Sequence, residues 1–310
     1  MEKSTDTHTT ILADGEPEVR RYRIFNFDFD SRPLTLSDEP GRDWSEESRA
    51  IWEQSRKNII ASIRSDYGEN GLTEKIDNFR DFGAKPFSIV AHHNVMFDHV
   101  RTAFIGGGYY AALTGACALG ERILNHMMLD LRDHFKATPE YKKVYRKSSF
   151  DRWRQMIHTL VAWGVLLPEV SNDFLELERL RNRSIHFTAD TATRLREDAL
   201  CAIGYLKRIL EGQFAGFGLQ PWFISGTMGA GFIKKEWETH PFVSHYYCAK
   251  SCLVGPFHSL EHTDAGWQYV DYPSYHELCG LTELTDDQFK DLFNDRDPAC
   301  LAQRDKNPIL

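Results

Sequence analysis

A short polar run near the middle of the chain, RNRSIH at residues 181–186, has the side chains that phosphodiester chemistry needs. Arg181 can hold a phosphate, or a developing negative charge, through two parallel hydrogen bonds. His186 can take or give a proton near neutral pH. Asn182 lies four residues before His186, so a helix would place these two side chains on one face. The run therefore predicts a site that acts on phosphodiesters.

The segment that carries this run has the apolar periodicity of a helix, and Arg181 lies within its apolar face. The face consists of Phe174, Leu177, Arg181, Ser184 and Ile185. A charge there is costly unless it is paired or lines a pocket or an interface. On one continuous helix Arg181 and His186 point about 140° apart. The helix must therefore bend or end near Ser184, or the two residues must act across a dimer interface.

The motif consists of Arg181, a polar residue directly after it, and His186 after four intervening residues. This pattern resembles the signature of the HEPN family (higher eukaryotes and prokaryotes nucleotide-binding). The resemblance covers roughly residues 90–215 and implies a small α-helical bundle. It also implies a metal-independent ribonuclease that dimerises to bring two motifs together, in a toxin or antiviral defence setting. Such a nuclease needs restraint, which implies an antitoxin or another regulatory partner. Some HEPN toxins carry a Tyr two residues after the His for modification by a partner enzyme, and Thr188 stands there, which puts that form of restraint in doubt.

The resemblance also implies roles for individual residues. Glu121 resembles the acidic position of the first long HEPN helix, which implies electrostatic support of Arg181, although an ordinary solvated helix charge is the favoured interpretation of this residue. In the expected reaction the 2′-hydroxyl of the RNA attacks the adjacent phosphorus. His186 serves as the acid–base group, Arg181 stabilises the phosphorane, and Asn182 orients His186 or a phosphate oxygen. The products would be a 2′,3′-cyclic phosphate and a 5′-hydroxyl.

A basic segment interleaved with aromatic residues precedes the motif. Its cations are Lys142, Lys143, Arg146, Lys147, Arg152 and Arg154, with Asp151 as the single acid. Such a mixture suits contacts to an RNA backbone together with base stacking, although it is also typical of a solvated helix face. With Arg183 of the motif, these residues are the candidate RNA contacts.

The bulk composition limits the alternatives. The chain has 310 residues and a net charge of −8, which is not that of a protein that coats nucleic acid, so RNA must meet a local basic patch. The longest apolar run, residues 161–167, is too short to span a bilayer, and the polar start MEKSTDTHTT does not resemble a secretory signal. Six scattered cysteines fit a reducing compartment. We therefore expect a cytoplasmic protein without a membrane segment.

Periodicity and breakers predict a mainly α fold, with an N-terminal helical extension at residues 1–88 and a small α+β extension at 216–310. For the helices of residues 89–215, the resemblance implies a HEPN-like antiparallel helical bundle. The predicted helices are 44–67, 73–82, 87–104, 109–135, 153–164, a motif helix capped by Ser171, and 190–210, stopped by Gly212. Residues 33–43 are expected to form a loop. Strands are predicted at 21–30, 242–247, 252–254 and 267–270, with a closing helix at 285–293. The small residues Gly115, Ala116, Ala118 and Gly120 predict a close helix contact.

Other chemistries find less support, and no metal or cofactor is expected. A zinc site is the nearest rival, from Cys248, Cys252, His258 and His262, with His245 and Cys279 nearby, but the spacing is looser than in zinc knuckles. Two further functional hypotheses stay open. One is a HEPN-like bundle that dimerises or binds RNA or a nucleotide without cleaving it, and the other is a purely structural role in which the motif is a coincidence.

Overall fold

A computed structural model describes residues 16–25, 30–150, 152–185, 193–264 and 266–296. Within these ranges the chain is mainly helical, with small sheets. The α-helices are α1 Arg32–Ser37, α2 Glu46–Tyr67, α3 Leu72–Phe82, α4 Ala91–Ile105, α5 Tyr109–Leu131, α6 Tyr141–Val144, α7 Trp153–Ala162, α8 Pro168–Ile185, α9 Leu195–Phe214, α10 Pro241–Tyr246, α11 Tyr275–Cys279 and α12 Asp286–Asn294. The strands are β1 Arg21–Ile24, β2 Gly231–Phe232, β3 Cys252–Val254, β4 Ser259–Thr263 and β5 Gly266–Val270, and 3₁₀ turns occupy Arg132–Phe135, Lys235–Trp237 and Cys248–Lys250. None of the helices in the described ranges combines the length and the apolar character needed to cross a bilayer.

The chain divides into two compact units. The helical unit is Phe27–Ala215, and the mixed unit joins Met1–Asn26 to Gly216–Leu310. The predicted division also placed a boundary at residue 215, but it treated residues 1–88 as one extension. The structure divides that extension because β1 is the central strand of the mixed unit's sheet, where Arg23 lies opposite both Phe232 and Cys252.

Helix α5 is the centre of the helical unit and packs against α4, α7, α8 and α9. Its inward face is buried and apolar, as its periodicity predicts. A Cβ atom added to Gly120 would lie 2.5 Å from Leu177 Cδ2 on α8, and one added to Gly115 would lie 3.1 Å from Val100 Cγ2 on α4. The prediction that small residues on α5 permit close helix contacts is confirmed.

Several predicted boundaries in this unit are wrong. Residues 33–43 contain α1, which begins beside Pro33 and buries Leu36. The motif helix begins at Pro168 instead of after Ser171, whose hydroxyl donates to the Pro168 carbonyl; proline suits the first helical position because the missing N–H is not needed there. Helix α9 continues past Gly212 to Phe214, since this glycine is close to Val170 and serves packing.

Helix α2 is buried over only part of its length. Ser45 caps this helix by accepting from the Ser48 N–H. Ile63 lies in a core with Leu36 and other buried residues, but Ile51 is exposed. Only the C-terminal half of α2 therefore packs on the described part of the chain.

The mixed unit contains an antiparallel sheet of order β2-β1-β3 and the hairpin β4-β5. The strands expected at 252–254 and 267–270 are confirmed, as is the closing helix, α12, which Thr285 caps. The strand expected at 242–247 is wrong, because α10 occupies it and buries Phe242, Val243 and Tyr246, a helical spacing. The strand expected at 21–30 is described only as β1, and Phe27 and Phe29 lie outside the described residues.

Candidate functional site

Arg181 lies near the C-terminal end of α8 and pairs with Glu121 on α5. Arg181 Nε is 3.0 Å from Glu121 Oε2, and the two side chains are 30% and 29% exposed. Phe174 and Leu177, which precede Arg181 on the same helix face, are fully buried. The guanidinium therefore emerges at the end of an apolar stripe, where the carboxylate offsets the cost of partial desolvation.

A second donor reaches the same carboxylate oxygen. Trp153 Nε1 lies 3.3 Å from Glu121 Oε2, and the Trp153 ring is buried edge-on to Phe174. Glu121 consequently joins the start of α7, where Trp153 lies, to the end of α8, where Arg181 lies. The apolar spacing of α7 predicts the burial of Trp153, but nothing in that spacing indicates its hydrogen bond.

The other motif residues have different surroundings. Asn182 is exposed, and its Oδ1 lies 3.4 Å from Arg181 Nη1. Arg183 donates to Asp198 on α9, a carboxylate that is almost fully buried. The catalytic candidate His186 and its neighbour Thr188 lie outside the described residues, so the distance from Arg181 to His186 is not part of the described geometry.

The six candidate RNA-binding cations that precede the motif are all exposed. Lys142 and Lys143 lie in α6, Arg146 and Lys147 follow it, and Arg152 and Arg154 flank Trp153 at the start of α7. Of these six, only Arg154 pairs with a carboxylate among the described residues, Glu178 at 3.3 Å. This surface therefore carries positive charge that the described acids leave largely uncompensated.

Aromatic rings accompany these cations. Tyr141 stacks on Tyr145 with centroids 5.6 Å apart, and the Arg146 guanidinium lies 5.0 Å from the Tyr145 ring centre. Tyr145 is 40% exposed. Of the four aromatic residues interleaved with the cations in the sequence, Tyr145 is exposed and Tyr141 partly so, whereas Phe150 and Trp153 are buried and are not available for base stacking.

Asn125, one helical turn after Glu121, holds the basic segment against α5. Its Oδ1 accepts from the Phe150 N–H at 2.8 Å, and its Nδ2 donates to the Phe150 carbonyl at 2.9 Å. Sequence reasoning missed this residue. The available signal is a polar side chain one turn beyond Glu121, inside the apolar stripe of α5.

Cys117 is buried, and its thiol feels the charges of the Arg181–Glu121 pair. Burial raises the pKa of the Cys117 thiol to about 12, and the opposing influence of Arg181 does not overcome it. The thiol therefore stays protonated near neutral pH, where the thiolate is the reactive form.

Two of the residues considered for zinc have surroundings that do not favour a ligand role. Burial raises the pKa of Cys248 to about 12, and His258 bonds to Gly255 and Arg23. The described ranges contain no group of three or more His, Cys, Asp or Glu side chains that could hold a metal ion.

The chemistry available at the described site is anion binding. Arg181 Nη2 has no hydrogen-bond partner among the described residues, whereas Nε forms an ion pair with Glu121 and Nη1 donates to Asn182 Oδ1. A phosphate oxygen could therefore be held at this edge of the guanidinium.

Comparison of the chain with protein-family models, with curated proteins and with solved structures found no match.

Proposed function

We propose that this chain is a metal-independent endoribonuclease of the HEPN type. The observation that carries the proposal is the shared carboxylate of Glu121, which receives Arg181 of the motif and Trp153 of the basic segment on one oxygen. A cation suited to a phosphate thereby lies beside the cations and rings suited to the rest of an RNA strand. The mainly helical fold is compatible with the helical bundle that the motif's resemblance implies.

In the proposed reaction the 2′-hydroxyl of the substrate attacks the adjacent phosphorus and the 5′-oxygen leaves. Arg181 stabilises the charge that develops on the phosphorane oxygens. His186 transfers the proton, and Asn182 orients His186 or a phosphate oxygen. The cut RNA ends in a 2′,3′-cyclic phosphate on one side and a 5′-hydroxyl on the other.

The proposal extends to the setting in which the enzyme works. We infer a cytoplasmic homodimer in which motif-bearing helices of two copies meet, so that Arg181 and His186 can serve one RNA from different subunits. A nuclease of this kind acts in toxin or antiviral defence systems and requires a regulatory partner, such as an antitoxin. The rest of the basic surface, with Arg183, would hold the RNA backbone.

The test is RNA cleavage by the purified protein in EDTA, with mapping of the product ends. Wild type should cut and leave cyclic phosphates, and Arg181→Ala and His186→Ala should each lower the rate by at least about 100-fold. Arg179→Ala is the matched control, because Arg179 lies on the same helix and is 71% exposed. Cutting that persists in both site variants would reject this assignment.

A second candidate function is RNA binding without cleavage. The observation that favours it is the Arg181–Glu121 pair, because the carboxylate partly neutralises the charge that a phosphorane would need. RNA binding that weakens in Arg181→Ala, without cutting under any condition, would support this alternative.

A further inference from the structure

A cleft of about 370 Å³ opens in the mixed unit, away from the motif in the sequence and in a different unit. This volume is within the range of small-molecule sites. Its walls come from β1 and the residue after it, β3 and the turn before it, and the hairpin β4-β5. Ten residues line it, and they include two cations, Arg23 and Lys250, but no carboxylate. The lining is therefore positively charged, although residues 236–310 carry thirteen acids and five bases.

Arg23 is the central cation of this cleft. It lies on the middle strand of the sheet, and its guanidinium carbon is 5.1 Å from the Tyr269 ring centre and 5.9 Å from that of Phe232. Burial lowers the pKa of Arg23, since an apolar environment disfavours the charged form. The Arg23 Nε atom is buried and has no hydrogen-bond partner among the described residues.

The one hydrogen bond of the Arg23 side chain among the described residues does not compensate its charge. Arg23 Nη1 contacts His258 Nε2. His258 Nδ1 lies 2.5 Å from the Gly255 carbonyl, to which it can only donate, so Nε2 is the nitrogen that accepts from Arg23. This histidine supplies a lone pair but no negative charge.

Two arginines close to Arg23 in the sequence each have a carboxylate partner. Arg20 pairs with Asp271 at 3.2 Å, and Arg21 pairs with Asp286 at 2.6 Å. Arg23 is the one of these three that lines the cleft, and it has no carboxylate partner among the described residues. A half-buried cation without a counter-charge is costly, so an anion in the cleft would relieve that cost.

The remaining walls suit a flat ring. Trp267 lines the cleft and is 49% exposed, which leaves part of its ring open to solvent. Phe25 meets Tyr269 edge-on, with centroids 5.5 Å apart. The Tyr269 hydroxyl is buried and has no hydrogen-bond partner among the described residues, so it can donate to or accept from a polar group on a ligand.

We propose that this cleft binds a small ligand in which a flat ring is joined to an anionic group, the chemical class of a nucleoside monophosphate. The anionic group lies against Arg23 and Lys250, and the ring lies against Trp267. The proposal does not depend on the ribonuclease function, because none of these residues belongs to the motif or to the basic segment of the helical unit.

The test is calorimetric titration of the full chain with AMP, GMP, CMP and UMP. At least one should bind saturably at one site per chain. Adenosine, which lacks the anion, and ribose 5-phosphate, which lacks the ring, should each bind at least about tenfold more weakly than the corresponding nucleotide, as expected when stacking or a charge contact is lost.

Two variants locate the site, and two matched variants control for them. Arg23→Gln and Trp267→Ala should each weaken binding by about tenfold or more. Lys290→Gln removes another cation of the same unit, and Trp44→Ala removes a tryptophan of similar exposure, 45%; both should bind as wild type does. Because Trp267 is half exposed, its variant tests the site even if Arg23→Gln does not fold.

Absence of saturable binding by all four nucleotides would overturn the proposal, as would binding unchanged by Trp267→Ala. Ribose 5-phosphate that binds as tightly as AMP would also overturn it. If Trp267→Ala loses nucleotide binding but cleaves RNA at the wild-type rate, the two sites are independent. The nuclease proposal is then unaffected by the result at this cleft.

Discussion

At the scale of single residues, the Glu121 carboxylate determines how Arg181 is presented. Glu121 Oε2 forms an ion pair with Arg181 Nε and accepts from Trp153 Nε1, and among the described residues no partner occupies the N–H groups of Arg181 Nη2. If Glu121 were neutral, Arg181 would keep its charge but lose the partner that orients it. Glu121 is therefore expected to matter for both stability and activity.

We predict that Glu121→Gln lowers the free energy of unfolding by about 1 kcal/mol, since the pair is only partly buried, and that it reduces RNA cleavage. Glu178→Gln is the control, because its partner Arg154 is 78% exposed and the change should stay within about 0.5 kcal/mol. Urea unfolding followed by circular dichroism measures both. Equal losses in the two variants would mean that the shared carboxylate has no special role.

At the scale of elements, the site depends on the close approach of α5 to α8 and α7. Gly120 lies one residue before Glu121 and leaves room for Leu177 and Trp153, whose nearest side-chain atoms would lie 2.5 Å and 3.2 Å from an added Cβ. A larger residue at this position must displace α8 or α7. Because Arg181 and Trp153 lie on those helices, the displacement would also disturb their contacts with Glu121.

We predict that Gly120→Ala lowers the free energy of unfolding by about 1–3 kcal/mol through overpacking. Gly204→Ala on α9 is the matched change. Its added Cβ would have only Arg208 Nη1 near it, at 3.7 Å, so the better helix propensity of alanine should stabilise the protein by about 0.5–1 kcal/mol. Chemical denaturation gives both values, and opposite signs are expected. A stabilising Gly120→Ala would contradict the close packing of α5.

At the scale of the whole molecule, charge is unevenly distributed. The chain carries −8, yet residues 141–154 carry six bases and one acid, a local charge of +5. With the proposed function, RNA would be drawn to that surface. Charge also sets the response of the helical unit to acid, through Asp30.

Asp30 accepts from two arginines, Arg32 at 3.0 Å and Arg101 at 2.5 Å. Burial by itself would raise the pKa of Asp30, but the hydrogen bonds and charges of these arginines outweigh it and lower the pKa from 3.8 to about 2. The stabilisation is therefore complete above the unfolded-state pKa near 4 and is lost as the pH falls through about 2.

We predict that Asp30→Asn lowers the free energy of unfolding by about 2 kcal/mol at pH 7 and that this difference shrinks between pH 4 and pH 2. Asp66→Asn is the control, because Asp66 shares Arg32 but is 47% exposed, so little change is expected. Urea unfolding across this pH range measures both variants. A difference that stays constant down to pH 2 would exclude the depressed pKa as its cause.

The sequence by itself determined the mainly helical fold, the helix that carries Arg181 with its buried Phe174 and Leu177, and the small residues that let α5 pack closely. These features follow from the spacing of residues within one helix, and that spacing can be identified directly in the sequence. Only the tertiary structure decided that the Glu121 carboxylate contacts Trp153 as well as Arg181. It also decided that Asn125 hydrogen-bonds to the Phe150 backbone. Finally, it decided that β1 pairs with strands more than two hundred residues away, which forms the cleft at Arg23. Such contacts depend on which distant side chains meet in space, and periodicity within a segment carries no information about that meeting.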